Sequence, residues 1–306
     1  MTAAILVSIL MSVVAAATPL LLAAQGELVA ERSGVLNLGV EGMMLVGAVM
    51  GFAAAVLSGS AAIGCLAGAA GGVAASLLFA GLTLGLSGNQ VATGLALTIF
   101  GIGASSLLGA PFVGRTVERL GPVLPSALSA DPVLRILFGH DALVYLSLAL
   151  TVAIAWFLAR TRAGLVLRAV GESDSSAHAI GYPVLAIRTA AIAFGGALAG
   201  LAGAYFSLAL TPMWADRLTA GRGWIALALV VFASWRPGQL LAGAYLFGAV
   251  GTFELHAKAA GLAVAPELLA SLPYLATIAV LTLISIQAGR AGSGAPACLG
   301  KTFSPS

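Results

Sequence analysis

Apolar residues run along this chain in long unbroken stretches, and polar positions are gathered into short breaks between them. Stretches of about 20 residues match a hydrocarbon core of about 30 Å. The pattern places spans near 3–24, 35–57, 61–86, 90–109, 141–159, 187–209, 224–234, 239–257 and 268–287. The two-residue alternation of a membrane barrel is missing, and backbone in lipid must satisfy its own hydrogen bonds, so the stretches are helices. The predicted fold is all-α, a polytopic transmembrane helical bundle of about 8–10 spans with one or two broken or short helices. The short one is 224–234, about eleven apolar residues between Arg222 and Arg236 with Pro237 just beyond. It reads as a half-helix or as a kinked pair with 239–257, a form tolerated where irregular backbone is buried in protein or lines a cavity.

Residues 1–287 are thus read as one transmembrane domain interrupted by a polar segment at 160–186. Residues 1–24 carry no Lys or Arg ahead of their apolar run, unlike a secretory signal, and are kept as a span. Residues 288–306, rich in Gly, Ser, Pro and Ala, read as a disordered tail.

Composition sharpens this picture. Of 306 residues, 60% are hydrophobic and 8% charged, with mean hydropathy +1.07, against about 25% charged in soluble domains; a water-exposed surface cannot be made from that. The net charge of +3 comes from residues scattered at span ends, which argues for positive-inside bias and against nucleic acid. Arg160, Arg162, Arg168 and Arg188 place 160–188 in the cytoplasm, and counting spans then places 25–34, 87–89, 235–238 and the tail on the same side. Loops 110–140, 210–223 and 258–267 fall outside. Cys65 and Cys298 lie too far apart in character and sequence to suggest a disulfide or metal site. Gly47/Gly51, Gly64/Gly68/Gly72 and Gly196/Gly200 recur at four-residue spacing and predict close helix packing.

Three polar insertions carry the candidate chemistry. Glu31–Gly42 runs into a span with Asn37 and Glu41 four residues apart, which on one helix would share a face. An ionisable group at membrane depth is a functional candidate by default; the competing reading of Glu41 is a buried, hydrogen-bonded packing residue. Ser87-Gly88-Asn89-Gln90 with Thr93 opens the next span but one. Capping explains Ser87 or Asn89, but a polar path or gate would explain Gln90 and Thr93 as well. The segment Arg168–Gly181 reads as a short helix outside the membrane, with Glu172 and Asp174 near its start and Ser173 or Ser175 available to cap it. A connector longer than about 20 residues suggests function, here docking of a soluble partner.

Two motifs are decoys. Gly300-Lys301-Thr302 ends like a phosphate loop, but Ala295 stands where the first glycine belongs. Gly85-Leu86-Ser87-Gly88 with His256 could suggest an intramembrane serine protease, a chance match in so glycine-rich a chain. Trp214, Trp224 and Trp235, at span ends, read as interfacial anchors.

Glu31–Gly42, Gly88–Ala96, Arg168–Gly181 and Ala220–Leu229 with Trp235-Arg236-Pro237 resemble the branched-chain-type permeases of bacterial ABC importers, in particular their nucleoside and simple-sugar group. The resemblance spans residues 30–250. It implies a multi-pass subunit of the bacterial inner membrane, not itself an enzyme. The implied partners are a cytoplasmic ABC ATPase, a second and non-identical permease, and an extracytoplasmic solute-binding lipoprotein. The chain would bind no cofactor, ATP and Mg²⁺ belonging to the ATPase. By the same likeness Arg168, Gly171, Glu172, Asp174, Ala177 and Gly181 form the ATPase-coupling segment, although Ser173-Asp174-Ser175-Ser176 departs from the Asn and Pro more usual there. Asn37, Glu41, Asn89, Gln90 and Thr93 would line the solute path. The solute implied is a nucleoside or simple sugar, with a branched-chain amino acid as the alternative. An ion-coupled secondary transporter or channel is the competing class.

Overall fold

The computed structural model describes residues 2–123, 131–259 and 294–303, together with five single helical positions between 268 and 282. Its helices are α1 (Thr2–Arg32), α2 (Val40–Ser58), α3 (Ala61–Ala80), α4 (Gln90–Gly109), α5 (Pro132–Phe138), α6 (Ala142–Arg160), α7 (Arg162–Glu172), α8 (Asp174–Ala179), α9 (Val184–Tyr205), α10 (Arg222–Phe232) and α11 (Pro237–Ala259). Among the described residues six helices are long and apolar enough to cross a membrane, so the expected helical bundle is what forms. The span expected at 268–287 lies largely outside the described residues.

α1, α2 and α3 surround α9, which is buried from Leu198 to Tyr205. The contacts are backbone to backbone. A Cβ on Gly47 would fall 2.3 Å from the Gly200 Cα, and one on Gly72 2.0 Å from the Gly196 carbonyl. Lipid tails are as apolar as Leu, so helices associate through dispersion contact, and only glycine permits it at this range. The repeating glycines therefore bind helices within one chain. α3 and α9 each close with a π-helical turn, Gly81–Gly85 and Phe206–Leu210.

Three sequence expectations about the spans and their ends need correction. The first span does not stop at 24, because α1 continues to Arg32 and buries Gln25, Glu27 and Glu31 where a loop was expected. Each polar side chain has a partner: Gln25 donates to Thr151 at 2.6 Å and to the Ser147 carbonyl. Glu27 accepts from the Asn37 N–H at 3.0 Å, and Glu31 accepts from the Trp235 indole. Second, residues 33–39 are coil and α2 starts at Val40, so Asn37 precedes the helix that carries Glu41. Third, Trp214 and Trp235 are buried rather than interfacial, Trp214 lying against Gly109.

The loops segregate to two ends. At one, which holds Arg160, Arg162 and Arg168, the end of α1 meets the start of α4, α7, α8, the α10–α11 turn and residues 294–303. At the other, Val117 pairs with Pro212, Leu120 with Leu208 and Val123 with His140 through backbone hydrogen bonds. Residues 294–303 are not free of the fold as the sequence suggested. The Cys298 N–H donates to the Gly171 carbonyl and the Gly300 N–H to that of Gly34. Ala295 and Leu299 pack against the main core and Phe303 against Val170, Ala177 and Val184, so side chains as well as backbone hydrogen bonds seat the segment.

Candidate functional site

The site is built around the interruption between α1 and α2. Ser33-Gly34 ends α1, with Gly34 at φ +91, a left-handed conformation open to glycine. The chain then crosses the bundle as coil, and its backbone groups are taken up by side chains from elsewhere. The Leu36 N–H donates to Gln90 Oε1 at 2.8 Å, and Gln90 Nε2 donates in turn to the Lys301 carbonyl at 3.1 Å. Asn37 Oδ1 accepts from the Gly39 N–H, while Thr98 donates to the Leu38 carbonyl. Gln90 and Asn37 are both buried. The interruption is held in one conformation.

Glu41, in the first turn of α2, is buried and faces the start of α10. It accepts from the Gly221 N–H at 2.8 Å, the Gly223 N–H at 2.6 Å and the Thr219 hydroxyl. Gly221 caps α10 at φ +81. Here the orphan amides of one helix start, and the positive end of its dipole, meet a carboxylate on the start of another. Expected in an outside loop, residues 219–223 instead return into the bundle, and the eleven-residue α10 runs from Glu41 back to the Arg-rich end. Two discontinuous helices thus meet start to start inside the bundle, as they do in transporters at their central site. In this conformation both Glu41 oxygens are occupied by protein donors.

The polar segment 160–186 folds into two short helices, α7 and α8, rather than one. Ser173 ends α7 and caps α8, accepting from the Ser176 N–H at 3.3 Å. The pair is fixed to the interruption at two points. A Cβ on Gly171 would stand 2.2 Å from the Arg32 carbonyl. Arg188, fully buried, joins Asp174 at 3.0 Å to the Ser33 carbonyl at 3.1 Å. Ala177 is buried beneath α8, and Gly181 turns the chain away at φ +92. Facing outward are Leu165, Glu172, His178, Ile180 and Tyr182. A cleft of about 270 Å³ lined by Arg32, Arg168, Glu172 and Pro296 opens beside them, and Arg168 Nε has no hydrogen-bond partner among the described residues.

Of the residues singled out from sequence, Asn37 and Gln90 gather at the interruption, and Glu41 sits just beyond it. Asn89 is exposed and caps α4 by accepting from the Ala92 N–H, and Thr93 lies half-buried one turn on. Arg168, Gly171, Glu172, Asp174, Ala177 and Gly181 all lie on or beside α7–α8. Sequence reasoning missed Glu27, Glu31, Arg188 and Thr219 as structural partners. The stop signal Ser33-Gly34 was available to extend α1 past 24, but four polar residues among the eight from Gln25 to Arg32 read as the end of a span.

A multi-spanning bundle with helix starts meeting in its interior and a helical pair outside its long helices defines a membrane transport subunit. Residues 9–282 match the family described as the branched-chain amino acid transport system / permease component. The chain belongs to that family and is the membrane-spanning permease subunit of an ABC transporter. It is 39% identical to the "Putative glucose ABC transporter permease protein TsgC13" of Haloferax volcanii, over 96% of this chain and 97% of that one. It is 31% identical to the nucleoside ABC transporter permease protein NupC of Lactococcus lactis over 87% and 88%. Over 76% and 77% it is 29% identical to the guanosine ABC transporter permease protein NupQ of Bacillus subtilis.

Proposed function

We propose that this permease forms half of the path of an ATP-driven importer for a simple sugar or a nucleoside. The named solutes of its relatives support that class. A second, non-identical permease would complete the path, an extracytoplasmic lipoprotein would deliver the solute, and a cytoplasmic ATPase would carry ATP and Mg²⁺ and dock on α7–α8. The observation that carries this reading is the double tie of Gly171 to Arg32 and of Asp174 through Arg188 to Ser33. A push on α7–α8 reaches the interruption without passing through a flexible loop.

In this mechanism Glu172, Arg168 and the cleft beside them receive the ATPase. Closure of the ATPase shifts α7–α8 and, with them, Ser33 and the strap at 294–303. Asn37, Glu41 and Gln90 act by holding the interruption and the start of α10 in register. Asn89 and Thr93, at the accessible start of α4, line the mouth of the path. The permease supplies two states, and differential binding of ATP and solute selects between them. Proteoliposomes holding both permeases, the ATPase and the lipoprotein test this. Solute-loaded lipoprotein should raise ATP hydrolysis and drive uptake, and Glu172→Arg should abolish both responses. Uptake by this chain alone on an ion gradient would refute it.

A further inference from the structure

Beside the docking pair lies a cavity that none of these steps uses. It encloses about 530 Å³ where α1, α6, α7 and α9 meet, within the roughly 300–1,000 Å³ of small-molecule sites. Its walls include Val29, Ile154, Phe157, Val166, Leu167 and Phe194, and every lining side chain is apolar. A polar solute would find no partner there.

The mouth of the cavity has the opposite character. Phe157 and Arg160 are three apart on α6, and Arg162 and Val166 four apart on α7, so each arginine rises on the same helix face as a cavity wall. Both arginines are exposed and neither has a hydrogen bond or ion pair among the described residues. Trp156, 61% exposed, precedes Arg160 by one turn, where an indole favours the headgroup level. Basic positions at an apolar crevice between spans are suited to acidic lipid headgroups.

We propose that this cavity is a binding site for an anionic phospholipid, its acyl chain against Phe157, Leu167 and Phe194 and its phosphate on Arg160 and Arg162. The acyl chain touches the inner face of α7, so the lipid supports the seat of the docking pair. That last consequence rests on the function proposed above, whereas binding itself does not.

The test uses the full chain purified in neutral detergent and titrated with phosphatidylglycerol bearing a fluorescent acyl chain, in parallel with phosphatidylcholine bearing the same chain. Phosphatidylglycerol should bind saturably at one site and roughly thirtyfold tighter, from two basic contacts. Arg160→Gln with Arg162→Gln should bring it to the phosphatidylcholine value without changing helical content, since both residues are exposed. Ala163→Trp, or Ala190→Phe if the first does not fold, should fill the cavity and remove both lipids. Equal affinity for the two lipids, or no response to the arginine substitutions, overturns the proposal. So does full competition by glycerol phosphate, which has no chain for the cavity. The titration contains no ATPase, so its failure leaves the proposed function standing.

Discussion

Asp174 on α8 and Arg188 on α9 form an ion pair at 3.0 Å, and the same guanidinium donates to the Ser33 carbonyl at 3.1 Å. One buried side chain therefore connects α8, the central helix α9 and the end of α1. Such a pair adds little net stability when intact, because desolvation offsets its Coulomb gain, but removing one partner strands a buried charge.

Asp174→Ala should accordingly cost about 3 kcal/mol, seen as a lower midpoint in thermal unfolding of the purified chain. The assembled complex should keep basal ATP hydrolysis but lose its stimulation by loaded lipoprotein. An unchanged midpoint would mean that Arg188 is held by Ser33 alone.

Glu41→Ala removes the acceptor from two backbone N–H groups and a hydroxyl at once. With net values of about 1.5–3 kcal/mol for hydrogen bonds to a charged group, this should be the more damaging change. The partial substitution Glu41→Gln, which keeps one acceptor oxygen, should fall between. Midpoints for the three proteins check the order.

Gly171 and Gly181 separate contact from conformation. At Gly171 an added Cβ meets the Arg32 carbonyl at 2.2 Å, whereas at Gly181 it meets nothing within 4 Å but sits at φ +92. Gly171→Ala should unseat α7 and uncouple ATP hydrolysis from uptake. Gly181→Ala should cost about 1 kcal/mol, the left-handed penalty, and leave coupling intact. Uptake per ATP hydrolysed distinguishes them.

The strap at 294–303 predicts a change in thiol reactivity. Cys298 is 8% exposed, with its N–H on Gly171 and the nearby Lys301 carbonyl held by Gln90. In a Cys65→Ser background Gln90→Ala should speed maleimide labelling of Cys298 by about tenfold, the effect of losing roughly one hydrogen bond of 1.4 kcal/mol. An unchanged rate would mean that Gln90 does not hold the strap.

How much of this was legible depends on the kind of signal. Long apolar stretches gave the bundle, because lipid leaves little choice of backbone structure, and the Arg-flanked segment at 160–188 gave a helical element outside it, which folds as two short helices. The shortness of α10 was equally readable. The partners of its start were not, because nothing local links Glu41 to Thr219 and Gly221, 178 and 180 residues away. The same holds for Gln25 and Glu31, whose partners Ser147, Thr151 and Trp235 lie far along the chain: polarity that marks a span end in isolation is buried when distant residues satisfy it. The strap went unread for a related reason, since its partners are distant in sequence: backbone acceptors at Gly34 and Gly171, and His178 and Arg188 against Phe303.

The central claim is that α7–α8 faces the cell interior and receives a motor protein there. His178 is exposed on α8, so His178→Cys in a chain lacking Cys65 and Cys298 provides a direct probe. A membrane-impermeant maleimide should leave intact cells unlabelled at 178, label inverted vesicles stripped of the ATPase, and be blocked when the ATPase is restored. Labelling from outside intact cells would contradict the account.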